Sequence, residues 1–213
     1  VSDVLTRLQQ GLETLYRVAT GLPVERFLLD AAGRDSLGLA RAPREQLVAV
    51  EGDDGLDLGL FVDAAVLTRL ALHDPGARLD DHNTGAFLYA VEGVSHFVYA
   101  AVCAQRDRTV SALELELQAE IDKYVTCLLA GEAGTATSAA WRQRLFDDCV
   151  FDDDLDADER DRYRVANHNA RRYTASLERR FVAPRRIGAM LDELRRFYRL
   201  TLGGKLDAIH RAA

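Results

Sequence analysis

The chain has 213 residues, 48% of them hydrophobic and 29% charged, with a formal net charge of −7. This is an ordinary globular composition, long enough to bury a core without disulfide staples, and it holds no internal repeat or low-complexity tract. The acidic balance argues against general nucleic-acid binding by net attraction.

Residues 2–19 read as an amphipathic helix with Ser2 or Asp3 as its cap. Leu5, Leu8, Leu12, Leu15 and Ala19 recur at alternating spacings of three and four. This start lacks the basic head and apolar centre of a signal peptide, and a cytoplasmic location is expected. Gly21 and Pro23 end the helix. VERFLL, from Val24, fits a strand or a short helix, and the Gly- and Pro-marked stretch after it, to Pro43, reads as loop.

QLVAVEGDDGLDLGLFV, 46–62, carries the one clear strand signal. Leu56, Leu58, Leu60 and Val62 alternate with Asp57, Gly59 and Phe61, and Asp54-Gly55 suits a tight hairpin turn. A lone hairpin is marginal, so a third strand or a helix must cover its apolar face. Asp63 caps a helix through Leu72, which His73-Asp74-Pro75-Gly76 stops.

Asn83 or Thr84 caps a long helix running to about Gln105. Its only charged or readily ionised side chains are Glu92 and His96, which sit four apart on one face. The rest is apolar nearly all round, so this helix is expected to be buried on every side. A short link turning at Asp107 leads to a second helix, from Thr109 or Ser111 through about Leu129. The two are expected to form a central antiparallel helical hairpin, 84–130. On the second helix Leu113, Leu117, Ile121, Tyr124 and Leu128 form the core face. Glu116 and Glu120 lie along its edge, and Glu114 is expected at the surface.

GEAGTATS, 131–138, reads as a linker, with a short helix around 141–146 after it. The acidic stretch 146–161 contains Asp152-x-Asp154-x-Asp156, the opening of a calcium loop. Ala157 and Tyr163 stand where that loop needs Gly and a bidentate Glu, so calcium is not expected. Asp156 and Glu159 form a capping box for a helix over 157–182, whose apolar stripe is Tyr163, Ala166, Ala170, Tyr173, Leu177 and Phe181. A last long helix spans 185–201, Gly203-Gly204 ends it, and a short tail helix follows. The fold class is α+β, dominated by helices, in one compact unit over 1–213. The alternative division is an α+β part, 1–130, and a helical part, 139–213.

Three places could carry chemistry. Burying Glu92 and His96 requires partners, drawn from each other, from a tyrosine hydroxyl or from an Arg of a later helix. The pair is an internal packing contact, or the floor of a pocket lined by Tyr89 and Tyr99, or an acid–base or metal site that Glu116 and Glu120 would complete. The spacing of four, without a second copy, departs from the Glu-x-x-His repeat of di-iron bundles, so no metal or other cofactor is expected.

A second place is a basic stripe of Arg164, His168, Arg171 and Arg172 opposite the apolar face of its helix. It suits an acidic protein partner or the chain's own acidic segment. RNA is the weaker choice, because no exposed aromatics interleave the arginines. The third feature is cysteine usage. Cys103, Cys127 and Cys149 are widely spaced and odd in number, which speaks for reduced thiols over a disulfide frame or zinc ribbon. Of the 27 Lys and Arg residues only Lys123 and Lys205 are lysines, a bias that points to a GC-rich bacterial source.

The sequence contains no dinucleotide, phosphate-loop, nucleophile-elbow or HExxH motif. The leading expectation is therefore a cytoplasmic interaction or regulatory protein, not an enzyme, that docks another protein through charged helical faces, with no membrane partner and with self-association open. The runner-up is an enzyme or ligand-binding protein with its pocket at Glu92 and His96.

Overall fold

The computed structural model describes residues 2–38, 43–52, 55–131, 133–151 and 155–212; side chains at 2, 51, 52, 55 and 56 are not described. The fold is α+β and helix-dominated. Its described residues fall into two compact units, Val1–Thr14 with Val18–Thr109, and Leu15–Arg17 with Val110–Ala213. The division therefore falls between the two helices of the expected central hairpin, and the alternative boundary at 131–138 lies inside unit 2.

In unit 1, α1 (Ser2–Tyr16) stops three residues short of its expected end, because Arg17 takes a left-handed φ of 53°. Val4, Leu5 and Leu12 bury its apolar face, and Gln9 is buried among them. The Gln9 Nε2 donates to the Leu22 carbonyl at 2.8 Å and its Oε1 accepts from the Val24 amide at 2.9 Å, which ties down the return loop. VERFLL contains one turn of 3₁₀ helix (Val24–Arg26) and the two-residue strand β1 (Leu28–Leu29), and the stretch expected to be loop instead opens with the short helix α2 (Ala31–Ser36), capped by the Asp30 side chain.

The expected hairpin forms as β2 (Glu45–Gly52) and β3 (Gly55–Val62). Gly55 begins β3 instead of sitting in the turn, and residues 53–54 lie outside the described residues. β1 supplies the third strand, parallel to β3, giving the order β1-β3-β2. α3 (Ala64–Leu72) starts as expected at Asp63, whose side chain accepts from the Ala65 amide at 2.7 Å.

α4 (Thr84–Ala104) packs on β2, β3 and α3, and fifteen of its residues are buried, as its near-chargeless sequence implies. By length and composition it could cross a membrane, but 78% of its apolar window is buried within the protein, as in a core helix. Asn83 precedes it but does not cap it. Its side chain instead holds the preceding loop, donating to the carbonyls of His73 and Arg78. Asp107, in the link after α4, adopts a left-handed φ of 50°, which a short polar side chain tolerates.

Unit 2 is helical. α5 (Ala112–Ala130) is capped by Ser111 and packs along α7 (Ala157–Leu177), which begins with the expected Asp156/Glu159 capping box. Between them α6 (Thr135–Arg142) occupies half of the expected linker. Ser138 explains this: it is fully buried, and its hydroxyl meets the Tyr124 hydroxyl at 2.7 Å and donates to Glu178. Single π-helical turns, Gln143–Asp147 and Glu178–Val182, extend α6 and α7. α8 (Ile187–Tyr198) ends earlier than expected, and Gly203-Gly204 falls inside α9 (Leu202–Ala212) instead of terminating a helix. The break is at Thr201, whose carbonyl accepts from the Lys205 amide at 2.8 Å to open α9. Residues 152–154 of the rejected calcium loop lie outside the described residues.

α4 meets the sheet closely at Gly93. A Cβ built there would lie 2.9 Å from Glu45 Oε2 and 3.0 Å from Leu60 Cδ1, whereas one at Gly203 meets nothing within 4 Å. Gly93→Ala should therefore destabilise the protein by about 1–3 kcal/mol through overpacking, despite the better helix propensity of Ala. Gly203→Ala should stabilise by up to about 1 kcal/mol. Urea midpoints of the two variants check both signs.

Candidate functional site

Glu92 and His96 lie one turn apart on α4. A carboxylate oxygen of Glu92 is within 4.8 Å of a ring nitrogen of His96. His96 is buried at 5% exposure and Glu92 is half-buried. Unit 1 brings to them a carboxylate that the sequence reading did not consider, Glu45. The register pairs Glu45 with Val62 and Leu47 with Leu60, so all four share the sheet face that α4 covers. Glu45 is 8% exposed, and its Oε1 lies 3.8 Å from His96 Nδ1. That distance is beyond hydrogen-bond length. The result is an imidazole between two carboxylates, one from the strand and one from the helix, in the space that Gly93 leaves open.

Tyr89, one turn before Glu92, is half-buried beneath the Arg44 guanidinium, which stands 5.7 Å from its ring centroid. The two residues border an open cleft of about 350 Å³, whose rim carries Arg69, Asp81 and His82 and whose floor includes Val66. His82 stacks on His73 with ring centroids 5.5 Å apart. Tyr99, expected with Tyr89 to line a pocket floored by Glu92 and His96, is buried, and does not line this cleft: Arg108 donates to its hydroxyl at 2.8 Å and approaches Cys103 Sγ at 2.7 Å.

Glu116 and Glu120 are buried on α5 in unit 2. Glu120 pairs with Lys123 at 2.6 Å, and Glu116 lies 4.0 Å from Arg162. Glu114 is buried at 3% exposure, contrary to its expected place at the surface. It begins a row with Gln118 and Asp122, spaced by four and hence on one line of the helix. Lys205, wholly buried, donates to Gln118 Oε1 at 2.8 Å and lies 4.0 Å from Glu114. Gln118 Nε2 in turn donates to Asp122 at 2.9 Å and to the Tyr16 hydroxyl at 3.2 Å, and Tyr16 donates to Asp122. Burial, with the Asp122 charge beside it, holds the Tyr16 hydroxyl well above the usual tyrosine pKa, so it serves as a donor. Aromatic rings enclose the group: Tyr16 stacks on Tyr198 and Lys205 lies over Phe197.

On α7, Arg164, His168 and Arg171 are exposed and Arg172 is half-buried. Arg171 pairs with Asp147 at 2.6 Å, so part of the basic stripe meets the chain's own acidic stretch. None of the three cysteines is in a disulfide; Cys103 and Cys127 are buried and Cys149 is exposed. Burial pushes the Cys127 thiol up to about 12.

Glu45 and Lys205 are the site residues that sequence reasoning missed. Glu45 opens a strand, where an acid reads as surface. Lys205 did carry a signal, as one of two lysines in an arginine-rich chain, but that bias reads equally as genome composition. Comparison with protein-family models, with curated proteins and with solved structures finds no match.

The buried network sets an expectation for stability. Lys205→Met should destabilise by about 3–5 kcal/mol, because Glu114 and Gln118 then face an uncompensated interior. Arg164→Gln should cost within about 0.5 kcal/mol. The double variant Lys205→Met/Glu114→Gln should recover part of the loss in a urea-unfolding cycle. Strict additivity would show that Lys205 and Glu114 do not interact.

Proposed function

We propose that this chain binds a divalent cation at Glu45, Glu92 and His96 of unit 1, and that this is its functional centre. The observation that carries the reading is the 3.8 Å separation of His96 Nδ1 and Glu45 Oε1 in a buried setting. Two ligands each about 2.0–2.2 Å from one ion stand about 3.3–3.6 Å apart at a tetrahedral angle, so closing by a few tenths of an ångström would let this pair share a cation. Glu92, with a carboxylate oxygen within 4.8 Å of a His96 ring nitrogen, is the acid that would have to close on an ion held there, and its partial exposure leaves a side for water or substrate. Two carboxylates with one imidazole suit manganese, iron or zinc better than an all-oxygen calcium site. A bound cation would polarise a coordinated water or carbonyl, the usual entry to hydrolytic chemistry.

A second reading keeps the chain as an interaction protein. The exposed Arg164 and His168 beside Arg172 favour it, as a surface for an acidic protein partner. Replacing Arg164 and Arg172 by Gln should then weaken capture of that partner, and added salt should do the same. Free cysteines accord with a reducing, cytoplasmic setting.

Metal-stripped protein dialysed against manganese or zinc should retain about one equivalent per chain by elemental analysis. His96→Ala and Glu45→Gln should lose it. Glu92→Gln, at a half-buried position, should bind more weakly with the fold intact by circular dichroism. Failure to retain metal, or equal retention in all three variants, would reduce the cluster to an internal packing contact.

A further inference from the structure

We infer that the cleft between Arg44 and Arg69 in unit 1 is a binding site for a phosphoryl group carried by a small molecule. The inference is independent of the cation reading. Arg44 precedes β2 and Arg69 lies on α3, so two separate elements bring guanidinium groups to one cleft of about 350 Å³. Neither guanidinium takes part in an ion pair among the described residues. Arg44 is instead steadied by the face of Tyr89, the stacking that leaves the edge donors of an arginine free. His82, steadied by its stack on His73, adds a further donor or acceptor at the rim.

The number of donors selects the anion. One guanidinium fork fills both oxygens of a carboxylate, whereas two forks and an imidazole call for the three free oxygens of a phosphoryl group. Asp81 shares the rim. Its negative charge disfavours a second anionic group there. The fitting ligand is therefore a phosphomonoester without a second anionic group, and the apolar floor at Val66 and Tyr89 limits its size.

The cleft also stands near the acid–His cluster. Tyr89 precedes His96 by seven residues, about 10 Å along the helix axis at 1.5 Å per residue. Glu45 directly follows Arg44 in the chain. A phosphorylated molecule held at Arg44 and Arg69 would extend toward the half-buried Glu92.

The test is calorimetric titration of the full chain with inorganic phosphate at constant ionic strength and in the presence of a chelator. Saturable binding is expected, with acetate binding more weakly. Arg44→Gln and Arg69→Gln, both at exposed positions, should each weaken phosphate binding about tenfold, and Asp81→Asn should preserve or tighten it. Unchanged affinity in the arginine variants, or no saturable binding at millimolar phosphate, overturns the assignment. Loss of phosphate binding in folded His96→Ala also overturns it, because the anion would then sit at the acid–His cluster. A short single-stranded oligonucleotide that binds more tightly than phosphate would transfer the site to nucleic acid and overturn the small-molecule assignment.

Discussion

The contact on which unit 1 depends is the approach of α4 to the sheet at Gly93. A helix that is apolar on every side must be covered on every side, and the sheet face covering this part of α4 begins with a carboxylate. Gly93 leaves out a side chain where a Cβ would meet Glu45 and Leu60. That lets the acid reach His96 without lifting the helix off the strands. Packing and polar chemistry are thus one constraint here: the same missing Cβ that lets Leu60 close on α4 also makes room for the Glu45 carboxylate.

Unit 2 solves the same problem with different residues. α5 carries acids and amides around most of its circumference and is nonetheless buried nearly all round. Its polar groups find partners far away in sequence: Lys205 from α9, Tyr16 from the end of α1, and Arg162 from α7. Buried polar groups left unpaired cost several kcal/mol by rough estimate, so such a row fixes where the surrounding helices must lie. Lys205 suits the position because a compact ammonium on a flexible stem can be enclosed by Phe197 and still reach a carbonyl oxygen, which a planar guanidinium could not do in the same space.

The two proposals for unit 1 complement each other chemically. The acid–His cluster would recognise a cation, and the arginine-lined cleft an anion. The residues that divide them are neighbours in the chain, Arg44 beside Glu45 and Tyr89 one turn before Glu92. Opposite charges on adjacent positions would set an extended polar ligand in one direction. The basic stripe of α7 differs, because Arg171 is already engaged by Asp147 and Arg164 and His168 face solvent, where ion pairs contribute little to stability.

The sequence by itself determined the elements whose signals are local. The period-two run gave the β2–β3 hairpin, the apolar circumference gave a buried α4, and Asp63, Ser111 and the Asp156/Glu159 box marked helix starts, because a cap acts within one turn of its own backbone. It also singled out Glu92 and His96, since two ionisable groups in an otherwise apolar helix stand out on a wheel. Only the tertiary structure decided what those groups meet. Glu45 lies 51 residues before His96 in the sequence, on a strand whose register fixes which face it presents. Gly203-Gly204 reads as a helix end and Glu114 as a surface acid until α9 carries Lys205 into the interior. Local propensity senses neighbours along the chain, whereas the partner of a buried charge is chosen by desolvation, which acts only once distant segments have closed around it.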